Sequence, residues 1–443
     1  METNILGREK ITTLFFKYSV PSIAGMLFLG VNTVVDGFFV GHYIGVNALA
    51  AINIAMPFFS LMIAIGVVIG IGAQSVLGRR LGEGDRQAAN DAFATALLLM
   101  AGVSSLLAVL AVAFHEQIAR LLGASAQLLP FSSVYIGCAG AFLPFLGLMF
   151  VLDYALKVTG RPVYSMQVLI VAVVGHMLLN ALFIAHLQFG MLGAALAVGL
   201  SYTAAFVLAA LPFADKRSAL RPFSGRWRSA FAKEIVANGS SEGLSEVGTG
   251  ITTFLFNITL MRYAGERGVA AFTAVSYLAF VGNNILIGLS DGVGAIVSYN
   301  YGLGSLERVK KAFRLAVFSA VAIGTGIFAV LFFYAGDIIL LFLDERNAVV
   351  LEFAVYGARL YALAFVLSGV NIVASGYFTA VCRPKNAAAI AISKGVLWVG
   401  VCLVVLPAVL GVRGIWITVP VAEFLTVILS TVLLRSHFAR EWQ

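Results

Sequence analysis

The stretch "GIGAQSVLGRRLGEGD" at residues 70–85 decides the fold, because much of its pattern returns as "GVGAIVSYNYGLGS" at residues 292–305. Within it, "GIGA" at 70–73 matches "GVGA" at 292–295, and "LGEG" at 81–84 matches "GLG" at 302–304. Two further pairs are "TGRP" at 159–162 with "VCRP" at 381–384, and "GMLGAA" at 190–195 with "GVRGIW" at 411–416. All four offsets are 220–222 residues. The chain is therefore predicted to consist of two homologous halves.

The composition places both halves in a membrane. Of the 443 residues, 60% are hydrophobic and only 11% are charged, whereas soluble proteins carry about 25% charged residues. Stretches of roughly 20 apolar residues, the length of a spanning helix, recur from end to end, so no separate soluble domain is expected. The net charge of +8 comes from basic residues scattered over short loops, which excludes a nucleic-acid surface. The three cysteines have no CxxC spacing, so neither a disulfide nor a metal site is expected.

The predicted fold is an all-α integral membrane protein with twelve transmembrane helices in two homologous six-helix bundles. The predicted spans are 12–41, 46–78, 91–114, 127–156, 163–186, 190–213, 234–263, 267–299, 313–335, 348–381, 386–410 and 412–435. The halves are 1–213 and 234–443, joined by a cytoplasmic linker at 214–233. Because six is even, both halves enter the membrane from the same side. The repeat is then parallel, with a pseudo-two-fold axis along the membrane normal, and substrate sites are expected where two such halves meet.

The basic residues predict which side of the membrane the termini occupy. Twenty-one lysines and arginines fall on the side of the termini and five on the other side. Cytoplasmic loops carry the excess of positive charge, so both termini are predicted to be cytoplasmic and the protein to be a multi-pass protein of the bacterial inner membrane.

Polar side chains in the first and fifth predicted helices suggest a small polar pocket in the first half. Asn32 and Asp36 share one helical face by their i,i+4 spacing, as do His176 and Asn180. An intramembrane ionisable group is expensive and is a functional candidate. Burial disfavours the charged carboxylate, which suits reversible protonation. The structural alternative is a hydrogen-bonded polar contact between two helices, and a satisfied core histidine is an equal alternative for His176.

The second half carries more intramembrane charge. The seventh helix has a polar stripe at 4-4-3-4-4 spacing with Glu242 and Glu246 at its centre, and the alternative there is a water-lined face. The eighth helix places three polar residues on one face at seven-residue spacing: Tyr277, Asn284 and Asp291. For Asp291, capping or gating is as plausible as substrate contact. Arg359, Lys394 and Glu423 form, with Asp291, a candidate charge cluster, in which mutual neutralisation of Lys394 by Glu423 is the simplest arrangement.

Three stretches resemble the multidrug and toxic compound extrusion (MATE) family. They are "PSIAGMLFLGVNTVVDGFFVGHYIGVNALAAINIAMPF" at 21–58, the stretch at 70–85 quoted above, and "GIWITVPVAEF" at 414–424, which is most similar to the MepA-like bacterial branch. The resemblance covers nearly the whole chain. It implies export of organic cations and other drugs in exchange for protons or sodium ions, by halves that rock between outward-open and inward-open states.

The resemblance also implies residue roles. Asp36 matches the carboxylate that the family places in the first helix, and this implies cation coupling at Asp36, with Asn32, His176 and Asn180 around it. Some members have Asn and Asp where this chain has His176 and Asn180, so a second acid is missing. Glu246 matches the seventh-helix glutamate of sodium-coupled members, whose tenth helix carries an acid where this chain has Asn371. Sodium is conceivable at Asp36 or Glu246, but a proton is favoured, and no other cofactor is expected.

The predicted function is secondary active multidrug efflux of cationic or amphipathic compounds by a monomer in the bilayer. The alternative is a flippase for lipid-linked saccharides or related lipids; twelve helices and an excess of interior acids argue against it. A membrane enzyme is disfavoured because "GSSEG" at 239–243, the only nucleophile-like motif, falls inside a helix. The chain has no Walker loop, so an ion gradient must supply the energy.

Overall fold

The computed structural model describes residues 5–215, 218–340 and 348–441, and in these ranges every regular element is helical. Lys216 and Arg217 of the basic linker lie outside the described residues. The helices of the first half are α1 (Ile11–Phe39), α2 (Val46–Gly82), α3 (Arg86–Ala113), α4 (Leu129–Gly140 and Leu143–Val158), α5 (Pro162–Asn180) and α6 (Gly190–Ala214). Those of the second half are α7 and α8 (together Ser229–Gly302), α9 (Leu306–Ile339), α10 (Ala348–Ala380), α11 (Pro384–Ile392, continuing to Leu410) and α12 (Val412–Glu441).

Ten of the helices in the described residues are long and apolar enough to cross a membrane, and the two parts of α4, bent by 50°, make an eleventh span. One of the ten, Ser229–Gly302, has 74 residues, or about 110 Å at 1.5 Å per residue. Its backbone breaks at Gly265, with φ 64° and ψ −159°. A hydrocarbon core is only about 30 Å thick, so this helix is two spans, α7 (229–264) and α8 (266–302). The predicted twelve-helix architecture is thus confirmed.

The ends of the helices follow from turn chemistry. Prolines occupy the first turn of both parts of α4, of α5 and of α11, where the missing N–H costs nothing. Asp85 caps α3 by accepting a hydrogen bond from the Ala88 N–H at 2.9 Å. Most residues with a positive φ pair across the repeat: Gly45 with Gly265, Gly84 with Gly304, Gly160 with Cys382, and Gly190 with Gly411. The two halves therefore turn at equivalent places.

The chain forms two compact units that cut across the two sequence halves. Unit 1 contains Met1–Glu9, Val20–Gly239 and Ser298–Gly304, and unit 2 contains Lys10–Ser19, Ser240–Val297 and Ser305–Gln443. The first ten residues of the α1 region thus pack with unit 2, and the end of α8 packs with unit 1. The half boundaries at 213 and 234 were drawn from the repeat, and they stay a prediction.

Inside unit 1, the ends of α2 and α8 touch through the repeat motif itself. A Cβ on Gly82 would lie 2.1 Å from the Tyr299 carbonyl oxygen, and a Cβ on Gly302 would lie 2.1 Å from the Arg79 carbonyl oxygen. Gly82 and Gly302 are equivalent in the repeat, so the contact is reciprocal, as at a two-fold axis. Only glycine permits this backbone approach. The stretch that reveals the repeat is also the stretch in which its two copies meet.

Candidate functional site

The four polar residues predicted to form a pocket in the first half do meet in unit 1. Asn180 Nδ2 of α5 donates a hydrogen bond to Asp36 Oδ1 of α1 at 3.0 Å. His176 Nδ1 lies 2.9 Å from Asn32 Oδ1, and His176 Nε2 lies 3.5 Å from Asp36 Oδ1. The side chain of His176 is 4% exposed and that of Asp36 is 18% exposed. His176 and Asn180 of α5 are thus buried, while Asn32 and Asp36 of α1 are partly accessible.

The hydrogen-bond geometry fits a neutral imidazole. The amide oxygen of Asn32 can only accept, so His176 Nδ1 carries the hydrogen. In a neutral imidazole Nε2 is then the acceptor, and Asn180 Nδ2 lies 3.3 Å from it. Asn180 is fully buried, and within the described residues its Oδ1 has no hydrogen-bond donor. An unsatisfied buried acceptor is uncommon and needs an explanation; here it lies beside the one carboxylate of the network.

Two tyrosines that the sequence did not single out belong to the surroundings of Asp36. Tyr135 of α4 and Tyr202 of α6 both interact electrostatically with the Asp36 carboxylate. Tyr135 is 6% exposed and packs on Phe59 of α2 with ring centroids 5.4 Å apart. No spacing rule marks these tyrosines, since neither has a charged residue three or four positions away on its own helix. They become visible only when the helices are packed together.

Three π-helical turns accompany the intramembrane polar residues. The turn Val40–Ile44 directly extends α1 beyond Asp36, and Ala181–His186 directly extends α5 beyond Asn180. The third turn, Ser393–Leu397, lies within α11 and contains Lys394. A π turn inserts one residue into a helix and is frequent at functional sites. Each of the two network helices therefore has a locally weakened backbone next to its polar residues.

In unit 2, the Glu423 carboxylate has a partner that differs from the predicted one. Asn371 Nδ2 donates to Glu423 Oε2 at 2.6 Å and also to the Glu423 backbone oxygen at 3.0 Å. Ser430 Oγ donates to Asn371 Oδ1 at 2.9 Å. All three residues are buried. The amide of Asn371 thus orients Glu423, while Lys394 is within electrostatic range but has no carboxylate within 4.0 Å among the described residues.

Lys394 is surrounded by acids because α7 and α11 approach each other very closely. A Cβ on Gly248 would lie 3.1 Å from the Gly395 Cα, and Thr252 Oγ1 donates to the Gly395 backbone oxygen at 2.8 Å. Lys394, next in sequence, interacts electrostatically with Glu242 and Glu246 of α7 as well as with Glu423. The predicted pairing of Lys394 with Glu423 alone is thus replaced by longer-range electrostatic interactions of Lys394 with three glutamates.

The remaining candidates lie apart from this group or at its edge. Arg359 was predicted to join the charge cluster, but its Nε donates to the Phe332 backbone oxygen at 3.0 Å and its guanidinium lies over the Phe332 ring. Tyr277 is 56% exposed, and Asn284 Nδ2 donates to the Phe280 backbone oxygen at 2.9 Å. Asp291 is buried and interacts electrostatically with Glu242. Along the α7 stripe, Glu246 is exposed.

The described residues contain no group of three or more His, Cys, Asp or Glu side chains arranged to hold a metal ion. The two polar groups contain carboxylates, one imidazole and one ammonium, and these groups can bind protons and recognise charge.

Comparison with known proteins agrees with this picture. The MatE family model matches the chain twice, at residues 21–182 and 245–404, once in each half. The multidrug export protein MepA of Staphylococcus haemolyticus (strain JCSC1435) is 25% identical over 421 residues, which cover 95% of this chain and 92% of that protein. MepA of Staphylococcus aureus (strain MRSA252) is 25% identical over 413 residues. These relatives favour a multidrug transporter over the flippase alternative.

The fold has a close match among solved structures. The crystal structure of MATE in complex with MaL6 has a TM-score of 0.93 at 20% identity and covers 100% of this chain and 99% of that chain. The two family matches together span well over half of the sequence and repeat in the register of the internal repeat. The chain belongs to the MatE family of transporters, and within it is most like the MepA-like branch.

Proposed function

We propose that the protein exports cationic or amphipathic organic compounds in exchange for protons, by alternating access, and that Asp36 carries the exchanged proton. Family membership supports transport of small organic molecules. The observation that carries the coupling proposal is the network of Asn32, Asp36, His176 and Asn180, in which one carboxylate meets one neutral imidazole and one orphaned amide oxygen.

The Asn180 amide oxygen, which lacks a donor in the part of the chain that the structure describes, can accept a hydrogen bond from a protonated Asp36 carboxyl. With Asp36 ionised, Asn180 Nδ2 donates to the carboxylate and Asn180 Oδ1 has no donor among the described residues. With Asp36 protonated, the carboxyl gains an O–H donor. Rotation of the Asn180 amide then presents Oδ1 to that O–H. Each protonation state of Asp36 thus has its own orientation of Asn180, and the two orientations form a switch inside α5.

The donor set favours a proton over a sodium ion. Sodium requires several oxygen ligands, whereas the groups that face Asp36 Oδ1 are Asn180 Nδ2 at 3.0 Å and His176 Nε2 at 3.5 Å. The Asn32 oxygen is held by His176 Nδ1. A cation at Asp36 would have to displace the Asn180 nitrogen donor, while a proton on Asp36 requires only a rotation of the Asn180 amide.

The acids of unit 2 are the proposed contacts for the organic cation. Glu242, Glu246 and Glu423 surround Lys394, so acids outnumber bases three to one in this group. A local excess of negative charge attracts cations and repels anions. Glu246 is the most accessible of the three glutamates, and we assign it the direct contact.

Both termini are proposed to be cytoplasmic and the membrane to be the bacterial plasma membrane, on the excess of basic residues on the side of the termini. Single cysteines at Ala126 and Ser224 test this orientation. In intact cells an impermeant thiol reagent should label the first and spare the second. The opposite pattern would reverse the orientation.

The function itself is tested with the full chain in vesicles loaded with ethidium, a permanent monocation. A pH gradient is imposed without sodium in one series, and a sodium gradient without a pH gradient in the other. Transport is expected with the pH gradient alone. Transport that needs sodium and ignores pH would overturn the choice of ion, and no ethidium transport with either gradient would overturn the proposed function.

A further inference from the structure

The basic linker between α6 and α7 is held in place by the first turns of α3. Four polar residues of α3, at spacings of three, one and four, face the linker: Gln87, Asn90, Asp91 and Thr95. Asn90 Oδ1 accepts a hydrogen bond from the Arg221 N–H at 2.7 Å, and Thr95 Oγ1 accepts one from the Arg228 N–H at 3.0 Å. The linker backbone from 221 to 228 is thus fixed at both ends.

Asp91 is the centre of this attachment. Its side chain is 1% exposed, and Oδ1 accepts from the Arg226 N–H at 3.0 Å and from Gln87 Nε2 at 2.9 Å. Oδ2 forms an ion pair with Arg228 Nε at 2.5 Å. A Cβ on Gly225 would lie 1.9 Å from the Asn90 carbonyl oxygen, so the linker backbone contacts α3 directly there. A buried carboxylate with two of its three partners in the linker indicates that the position of the loop itself matters.

The fixed loop presents aromatic rings and guanidinium groups outward. Phe223, at the tip of the turn Pro222–Ser224, is 101% exposed, and Trp227 is 47% exposed. Arg221 and Arg226 are exposed, and in the part of the chain that the structure describes their guanidinium groups have neither a hydrogen bond nor an ion pair. The attachment to α3 uses only their backbone N–H groups, which leaves both charges available.

We propose that the loop from Arg221 to Arg228 is a binding site for anionic phospholipid headgroups. The loop joins the ends of two spanning helices and therefore lies at the edge of the bilayer. Aromatic rings favour the headgroup region, guanidinium groups bind phosphate bidentately, and acidic leaflets attract basic segments beside spanning helices. Because α3 already fixes the backbone, binding a headgroup costs little further ordering of the loop. This site is separate from the coupling network and does not depend on the proposed transport reaction.

The test is phosphatidylglycerol binding by the full chain purified in a neutral detergent. Thermal stabilisation is measured against added phosphatidylglycerol, with phosphatidylcholine as the neutral probe. The double variant Arg221→Gln with Arg226→Gln keeps both backbone N–H groups and removes both charges. The attraction of one basic residue to an acidic surface is worth roughly five-fold in affinity. Loss of two arginines should therefore lower the affinity for phosphatidylglycerol roughly thirty-fold, with little change for phosphatidylcholine.

The matched control removes two arginines from the opposite predicted side, Arg120→Gln with Arg413→Gln, and should bind phosphatidylglycerol as the wild type does. Phe223→Ser should weaken binding of both lipids if the ring enters the lipid layer. Unchanged phosphatidylglycerol affinity in the Arg221 and Arg226 double variant would overturn the proposal. An equal loss in the control pair would also overturn it, by showing that net charge alone sets the affinity.

Discussion

Asp36→Asn gives the sharpest test of the coupling network. The substitution keeps the shape of the side chain, and the new amide oxygen still accepts from Asn180 Nδ2, which lies 3.0 Å from Asp36 Oδ1. It removes the only carboxylate among the four residues, whose Oδ1 lies 3.5 Å from His176 Nε2. The variant should therefore fold and reach the membrane while losing the exchangeable proton.

The size of the effect follows from the number of protons that the network can exchange. His176 Nδ1 lies beside the Asn32 amide oxygen, and His176 Nε2 lies 3.3 Å from the Asn180 amide nitrogen. Asp36 alone is proposed to carry the exchanged proton, so one proton moves per cycle. One pH unit is worth about 1.36 kcal/mol, so exchange of one proton for one monocation permits about ten-fold accumulation per pH unit. A plot of log accumulation against the pH gradient should have a slope of about one for the wild type and about zero for Asp36→Asn.

The assay uses inverted vesicles, ethidium, and imposed gradients of zero to two pH units, with the membrane potential held at zero. Exchange of one proton for one monocation is electroneutral, so the slope reports the proton number directly. Glu116→Gln is the matched control because Glu116 is an exposed acid on the short helix His115–Leu121 and is not one of the four network residues. It should retain the wild-type slope. A slope near one in Asp36→Asn would remove Asp36 from the coupling reaction, and a wild-type slope near two would require His176 to carry a proton as well.

Glu246→Gln should lower ethidium export more than Glu242→Gln, because Glu246 is exposed on the α7 stripe while Glu242 is half-buried beside other charges; equal rates in both variants would leave the stripe with a packing role. Lys394→Met removes the ammonium group that interacts electrostatically with three glutamates. Export of a dicationic probe relative to a monocation should then rise on the order of ten-fold. An unchanged ratio would argue against a substrate contact at these acids. Cys382 has a φ of 56° at the position where the first half has Gly160. Cys382→Gly should therefore stabilise the protein by about 1 kcal/mol, measured as a higher melting temperature in detergent. A lower melting temperature would mean that packing of the thiol outweighs backbone strain.

The sequence was sufficient for the number and order of the helices but not for their ends. The span predicted at 46–78 is the helix Val46–Gly82, and the span predicted at 91–114 is Arg86–Ala113. Hydropathy falls where a helix leaves the bilayer, yet the helix continues because local pairs support it. Arg79 Nε, for example, lies 2.9 Å from Glu83 Oε1 at i,i+4 spacing. The end of a hydrophobic run therefore marks the membrane surface, and the helix extends beyond it.

The candidate site was predictable where helical periodicity defines a face. Asn32 with Asp36 and His176 with Asn180 are i,i+4 pairs, and two such faces meet in unit 1. The partners across helices were harder to predict. Glu423 was paired with Lys394 by charge, but the neutral Asn371 holds it at 2.6 Å. Opposite charge is a visible signal in a sequence, whereas the geometry that lets an amide reach a carboxylate 52 residues away is set by packing.

The anchoring of the linker and the π turns were not predictable. In the sequence, Asp91 is an ordinary charged residue near the start of a helix. Its partners in the linker include a backbone N–H group, which leaves no signal in the sequence. The π turn "VGHYI" at Val40–Ile44 has no composition that separates it from the α-helix before it. The π turn nevertheless changes the residue offset between equivalent positions of the two halves. Gly45 and Gly265 are 220 residues apart, and the extra residue of the π turn moves the equivalent of Asp36 from 256 to 257.

With that register, the two halves share backbone geometry and differ in chemistry. Asn32 and Asp36 of α1 correspond to Thr253 and Asn257 of α7, so the carboxylate of the first half has a neutral amide as its counterpart.

The same division recurs in α4 and α10. The buried ion pair of Asp153 Oδ2 and Lys157 Nζ at 2.8 Å corresponds to Ser375 and Thr379, where Thr379 Oγ1 donates to the Ser375 backbone oxygen at 3.1 Å. Two equivalent proton sites would need a titratable group at both copies of a position, and at neither pair of positions does the second half have one. The acids of α7, Glu242 and Glu246, lie about four and about three helical turns before Asn257, respectively, at a level where α1 has no acid. This difference between the halves supports the proposal that the first half carries the exchanged proton and that the second half binds the larger cation.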